Sequence, residues 1–145
     1  REATVAALPV MHRLADAESI EIEQLAESNL IVLPRTVNPA FYDGVAAASH
    51  QAGFAASLHE AEEPRIEHAL LSVAIGRGIA LMPASAADRY SLPGVTYRLV
   101  DEPVCEVALV TGPEPSMAAV QLCKLVGSSA PVARANGRPA LTLAA

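Results

Sequence analysis

Pro64-Arg65-Ile66-Glu67-His68-Ala69-Leu70-Leu71-Ser72-Val73-Ala74-Ile75-Gly76-Arg77-Gly78-Ile79-Ala80-Leu81-Met82-Pro83-Ala84-Ser85 reads as an amphipathic helix that runs through a glycine stop into a short apolar strand. That order points to an α/β sheet rather than a bundle or a sandwich. Ile66, Leu70, Val73 and Ala74 recur at helical spacing, Pro64 stands where a first turn tolerates proline, and Gly76 can adopt the left-handed conformation that closes a helix. Ile79 to Met82 follows as a buried strand, stopped by Pro83. Ser85 and Asp88 have the spacing of a capping box that would open another helix.

Working outward, the pattern predicts strand Val5–Pro9, a short helix Glu21–Ala26, strand Asn29–Leu33, helix Pro39–Ala52 and strand Ala55–His59 before the opening block. The block itself supplies helix Arg65–Ile75, strand Ile79–Met82 and helix Ala86–Tyr90. Strands Val95–Leu99 and Cys105–Val110 and helix Ser116–Val126 come after it. Strands alternating with helices are the signature of crossover units and a parallel sheet. From Gly127 onward periodicity is lost, and 127–145 is expected to be a surface tail, poorly ordered.

Of the 145 residues, 52% are hydrophobic, enough to bury a sizeable core. Aromatics make up only 3%, so that core is expected to consist of Ala, Val, Leu and Ile in helices packed on a mostly parallel sheet. The apolar runs break well short of the roughly 18 residues a membrane span needs. A soluble chain is expected, with no membrane partner. A net charge of −6 without a Lys/Arg cluster argues that this segment does not itself neutralise nucleic-acid phosphates. Cys105 and Cys123 have no Cys-x-x-Cys partner and read as small buried hydrophobes. No secretory signal is evident, and a cytoplasmic location is the expectation.

The same block resembles the most recognisable part of the effector-binding domain of LysR-type transcriptional regulators, where a helix, a Gly-x-Gly turn, a Gly-Ile-Ala-Leu-Met-Pro-Ala-Ser-like strand and a second helix follow in order. Ala7-Leu8-Pro9-Val10-Met11-His12-Arg13-Leu14-Ala15 is similar to that family's Leu-Pro-x-x-His-Pro-Leu-Ala crossover, with Arg13 in place of the usual proline. Ser19 to Ala26 resembles its next turn and short helix, and Leu30 to Arg35 its next strand. Gly94 to Leu99 and Glu106 to Val110 are similar to two later strands. The resemblance runs in register from about Thr4 to Leu125.

It implies a periplasmic-binding-protein-like α/β fold of two subdomains joined by crossover strands, with a ligand in the cleft between them. In this scheme residues 1–10 are the first crossover and part of subdomain I, 11–99 are subdomain II, and 100–126 return to subdomain I. The second subdomain would be complete and the first only partly encoded. Strands Val5–Pro9 and Cys105–Val110 would then lose sheet neighbours and leave unpaired edges, which predicts an oligomer or strand-swapped dimer. A concentration-independent monomer mass by light scattering would count against that. In the family, the part matching Ala55–His59 and Arg65–Ile75 takes part in antiparallel pairing of regulatory domains.

The best site candidate on the residues is Arg35, Thr36, Val37, Asn38, Pro39, Ala40 and Phe41, at the carboxyl end of a strand and running into a helix start, where open α/β sheets bind ligands. Asn38 suits an N-cap and Pro39 the first helical position, so backbone N–H groups near Ala40 and Phe41 are placed to face an anion. Arg35 or Thr36 would add a hydrogen bond. The alternative is an ordinary capped helix with a solvated Arg35. By resemblance, Thr36, Asn38, Ala40 and Phe41 belong to the effector cleft.

Other chemistry finds no anchor. His12, His50, His59 and His68 lack the spacing of a metal site or of a nucleophile–base pair. Gly76-x-Gly78 follows a helix and precedes a strand, the reverse of a dinucleotide fingerprint, and no Gly-x-Ser-x-Gly elbow occurs. Glu60, Glu62, Glu63 and Glu67 read as a solvated helix start rather than as paired catalytic carboxylates. The expectation is therefore a non-enzymatic effector-sensing domain without cofactor or metal. It would bind a small molecule, an anion being the favoured class, form a homo-oligomer, and reach DNA only through a region absent from this chain. The alternative is the solute-binding protein of a transport system.

Overall fold

The computed structural model describes residues 1–105 and 113–128. Six strands form one sheet in the order β2-β6-β1-β5-β3-β4, where β1 is Glu2–Pro9, β2 Ser19–Ile20, β3 Asn29–Val32, β4 Ser57–Glu60, β5 Ile79–Pro83 and β6 Val95–Cys105. The helices are α1 Pro39–Gln51, α2 Ile66–Ala74, α3 Ala84–Arg89 and α4 Met117–Ser128, and Ile22–Leu25 makes a 3-10 turn. α4 thus continues to Ser128, two residues past the end read from the sequence. The remaining tail positions and most of the expected strand Cys105–Val110 lie outside the described residues.

Alternation of strand and helix is borne out, and β3 pairs in parallel with both β4 and β5, as β2 does with β6. β1 departs from the parallel expectation. It runs antiparallel to β5 on one side and to β6 on the other, with Val5 opposite both Met82 and Leu99. A run such as Val5-Ala6-Ala7-Leu8, buried on both faces, carries no mark of direction in its side chains. The expectation that Val5–Pro9 would be left as an open edge is therefore overturned, because β1 lies inside the sheet, paired with β6 through Pro9 and with β5 through Ala7.

The two faces of the sheet carry separate cores. Ala6, Leu8, Leu30, Val32, Leu81 and Val100 pack with Phe41 and Val45 of α1, while Val5, Ala7, Ile31, Ala80 and Met82 pack with Ala69, Leu70 and Val73 of α2 and with α3. Alternate residues along β1 serve opposite faces, as the pleat requires.

The opening block folds as a helix, a glycine stop and a strand, with two local corrections. Gly76 has φ +77°, its N–H donates to Val73 O at 2.9 Å and the Arg77 N–H to Ser72 O at 3.0 Å, the paired bonds of a Schellman ending. Arg65 is the N-cap of α2, so Pro64 stands before the helix instead of in its first turn. The Ser85–Asp88 capping box does not form: α3 starts at Ala84 after Pro83, and the carboxylate of Glu2, 4% exposed, accepts the Ser85 N–H from across the sheet. A long-range carboxylate has taken the place of a local cap.

Candidate functional site

Asn29-Leu30-Ile31-Val32 ends where Pro34 turns the chain, the Val37 N–H donating to Pro34 O at 2.8 Å. Asn38 then caps α1 as expected. Its Oδ1 accepts the Phe41 N–H at 3.1 Å, and Pro39 occupies the first helical position. The Phe41 N–H is thereby satisfied within the chain and is not free for an anion, which leaves that of Ala40 in the first turn.

Arg35 is exposed, and its guanidinium is paired within the chain. Its Nε and Nη2 donate to the two carboxylate oxygens of Asp43, one turn into α1, at 2.7 and 2.8 Å, and its backbone N–H donates to Glu60 Oε1 at 3.2 Å. This fork ties the loop after β3 to both α1 and the end of β4. Hydrogen bonds from Arg35 hold the Asp43 carboxyl below the ordinary aspartate value of 3.8, slight burial opposes them, and the charge of Arg35 adds to the lowering. A lowered folded value means a contribution present above pH 3.8 and lost as pH falls through the folded pKa. In a carboxyl-carbon NMR titration Asp43 should have its midpoint below 3.8, and Arg35→Gln should return it toward 3.8. A midpoint that ignores the substitution would remove Arg35 as the anchor of this loop.

Opposite α1, strand β6 leaves its regular ladder. Thr4 pairs with Val100 but Glu2 with Cys105, so Asp101-Glu102-Pro103-Val104 bows out. Two side chains hold the bow. The buried Thr4 hydroxyl donates to Pro103 O and lies 3.4 Å from Cys105 Sγ, while Asp101 Oδ1 accepts the Ile22 N–H at 3.0 Å and the Glu102 N–H at 2.9 Å. Burial pushes the Cys105 thiol pKa up, the Thr4 contact works against this, and the charge of Glu2 adds to the rise. The thiol is therefore a packing group and not an activated nucleophile.

Between the bow and α1 lies a cavity of about 230 Å³ lined by Asn38, Ala40, Phe41, Gly44, Pro103, Val104 and Cys105. It combines a polar helix start with apolar walls, the usual make-up of a small-molecule site. Of the sequence-predicted residues, Asn38, Ala40 and Phe41 meet there; Arg35, Thr36 and Val37 on the loop and Pro39 at the start of α1 are exposed beside it. Gly44 and the Pro103–Cys105 wall were not read from the sequence. A glycine inside a helical pattern, costing about 1 kcal/mol against alanine, was the one local sign available.

Larger cavities of about 400 and 300 Å³ lie elsewhere, the first beside the early half of β6 with Tyr90, Tyr97 and Arg98, the second near the β4 edge with His59, Glu62 and Arg77. Neither is built on the loop following β3. In the acidic cluster, Glu60 accepts the Arg35 N–H and Glu62 lies 3.7 Å from Arg77. His12 accepts the Leu14 N–H on Nδ1 at 3.2 Å, and burial, followed by the charge of Arg13, lowers its pKa. Among the described residues no group of three His, Cys, Asp or Glu converges, and no helix is long and apolar enough to cross a membrane.

A family model described as the LysR substrate binding domain matches residues 1–123. The HTH-type transcriptional regulator AlsR of Bacillus subtilis (strain 168) is 35% identical over 99 residues, 68% of this chain and 32% of that protein. Two further curated relatives are also HTH-type transcriptional regulators. The chain spans about a third of the length of these relatives. Among solved structures, the full-length BenM E226K mutant is similar with a TM-score of 0.67 at 21% identity, over 85% of this chain and 42% of that one. The BenM effector binding domain with its effector benzoate gives 0.65 at 21%, over 90% and 64%. At that identity the likeness speaks for the fold, the periplasmic-binding-protein-like architecture of effector-binding domains.

Proposed function

The chain belongs to the LysR substrate-binding domain family, and on that premise we propose that it is the effector-sensing part of a LysR-type transcriptional regulator. The observation that carries this reading is the cavity between the start of α1 and the bowed segment of β6. A molecule seated there touches both the start of α1 and the bowed segment of β6. Its binding then favours one arrangement of the two over another, and a coupling of about 1–3 kcal/mol changes affinity roughly 5- to 150-fold between states.

The segment Arg35, Thr36, Val37, Asn38, Pro39, Ala40, Phe41 is proposed as the effector-contacting loop, with the Ala40 N–H and the Thr36 hydroxyl offered to an anionic group and Phe41 and Pro103 to a carbon skeleton. Benzoate, the effector of the BenM domain, has this combination of size and charge. The mechanism is binding without catalysis. The full regulator works in the cytoplasm as a homo-oligomer and contacts DNA through a region outside this chain, in keeping with the −6 charge carried here. The transport alternative finds no support in relatives that are all transcriptional regulators.

A thermal-shift screen of small carboxylates on the full-length regulator, followed by reporter assays, tests the reading. Thr36→Ala combined with Asn38→Ser, which keeps a capping oxygen, should lower the sensitivity to any hit at least tenfold. An unchanged response sinks the assignment, and consumption of the hit would make the protein an enzyme.

A further inference from the structure

Strand β6 outruns the elements that cover it. On its outer side β2 pairs only with Leu99 and Val100, so residues 95–98 form a free sheet edge among the described residues. On the face that carries α2 and α3, α3 ends at Arg89 after six residues, and the chain turns back through Gly94, at φ +85°, directly into Val95. Val95, Tyr97 and Leu99 are left only half-buried, whereas Val5 on the same face of β1 is 1% exposed. The cavity of about 400 Å³ occupies this corner.

Its lining is fixed by hydrogen bonds. Two of the three tyrosines of the chain contribute, and the Tyr97 hydroxyl donates to Tyr90 O at 2.8 Å, which ties β6 to the segment after α3. Burial raises the Tyr97 pKa, so the phenol stays neutral. By the pleat Arg98 belongs to the other face of the strand, yet its Nη1 donates to Thr96 Oγ1 at 3.0 Å and to Tyr97 O at 2.6 Å, which brings it to the cavity from the strand edge. Both bonds come from Nη1. The N–H groups of Nε and Nη2 have no partner among the described residues. Arg89 and Arg98 stand against a single carboxylate, Asp88, in a chain whose net charge is −6.

We infer that this corner is a second small-molecule site, built for an aromatic carboxylate: the ring lies over Val5, Val95 and Leu99 beside the two tyrosines, and the carboxylate accepts hydrogen bonds from Arg98. An apolar floor with a few polar groups at one end is the usual construction of such sites, and the volume suits one small molecule. A peptide strand is the weaker occupant for this edge, because Arg98 already engages the Tyr97 carbonyl. The site lies on the opposite face of the sheet from the cavity at α1, so it does not depend on the effector reading.

Fluorine NMR of the full-length protein labelled with fluorotyrosine tests this, with resonances assigned from Tyr42→Phe, Tyr90→Phe and Tyr97→Phe. The probes are naphthoate and its uncharged amide, naphthamide. Tyr42, packed on the α1 face, reports on the other side of the sheet. Naphthoate should move Tyr90 and Tyr97 along one saturable curve, and naphthamide should bind about tenfold more weakly. In Arg98→Gln the two probes should bind alike.

Absence of saturation at Tyr90 and Tyr97 up to about 10 mM naphthoate would overturn the site. Movement of Tyr42 alone would overturn it as well, by placing the probe on the α1 face. Equal affinity of the acid and the amide for the unsubstituted protein removes the carboxylate contact, and this comparison stands whether or not Arg98→Gln folds. A preference for naphthoate that survives Arg98→Gln removes Arg98 as its partner.

Discussion

Gly78→Ala is expected to destabilise the domain by about 3 kcal/mol, the upper end of the usual overpacking range. The added carbon would fall 2.4 Å from the Asn29 carbonyl oxygen and 3.1 Å from the Asn29 Cβ. Both are at the first residue of β3, which pairs with Ser57 of β4, while the next residues Leu30 and Ile31 pair with Ile79 and Ala80 of β5. Relief therefore requires β3 to move against two neighbours at once. A shift that frees Gly78 breaks the register of the sheet where it is parallel. Gly76→Ala is the natural comparison, since open space surrounds it and only the positive φ resists, at about 1–2 kcal/mol. Urea denaturation of the pair should place Gly78→Ala clearly below Gly76→Ala. The reverse order would show that helix termination, not the β3 contact, governs this corner.

Leu8→Ala should cost about 3–5 kcal/mol, the range of large cavities in rigid cores. Leu8 is 0% exposed and belongs to the core on the α1 side with Leu30, Val45 and Leu81. Its strand is held on both sides, by Ala7↔Ala80 toward β5 and by Leu8↔Thr96 toward β6, so the backbone has little freedom to collapse into the void. Leu71→Ala, 51% exposed on α2, removes the same atoms at a position that stays wet and should cost under about 1 kcal/mol. Similar losses for the two leucines in chemical denaturation would mean that β1 is a peripheral strand and not the middle of the sheet.

The architecture was legible wherever sequence and structure share a local period. Ile66, Leu70 and Val73 announced α2, Gly76 its end, and Asn38-Pro39 the start of α1, because caps and amphipathic stripes are decided within a few residues. Directions and partners were not legible. Nothing in Val5-Ala6-Ala7-Leu8 distinguishes a strand inside the sheet from one at its edge, and the cap of α3 comes from Glu2, on a strand far away in sequence.

The candidate site divides in the same way. Its α1 half was readable from capping chemistry. The β6 half was not, because Thr4, which pins Pro103, and the bow of Asp101–Val104 exist only once the first and last described strands meet. Strand Val95–Leu99 was placed correctly, but β6 continues to Cys105 without the gap expected after Leu99.

The antiparallel β1 also governs the order in which the chain assembles. Thr4 needs both Pro83 and Val100 as neighbours, so the innermost strand comes from the start of the described chain while its partners come from the later part. The parallel trio β3, β4 and β5 can gather early around α1 and α2, but the sheet closes only when residues 2–9 insert between β5 and β6. Such a distant closure costs loop entropy before any ladder bond repays it, which slows folding and makes the last step cooperative for the whole sheet. During synthesis β1 emerges before both strands that flank it in the sheet, and until they arrive its Val5-Ala6-Ala7-Leu8 run, apolar on both faces, needs shielding.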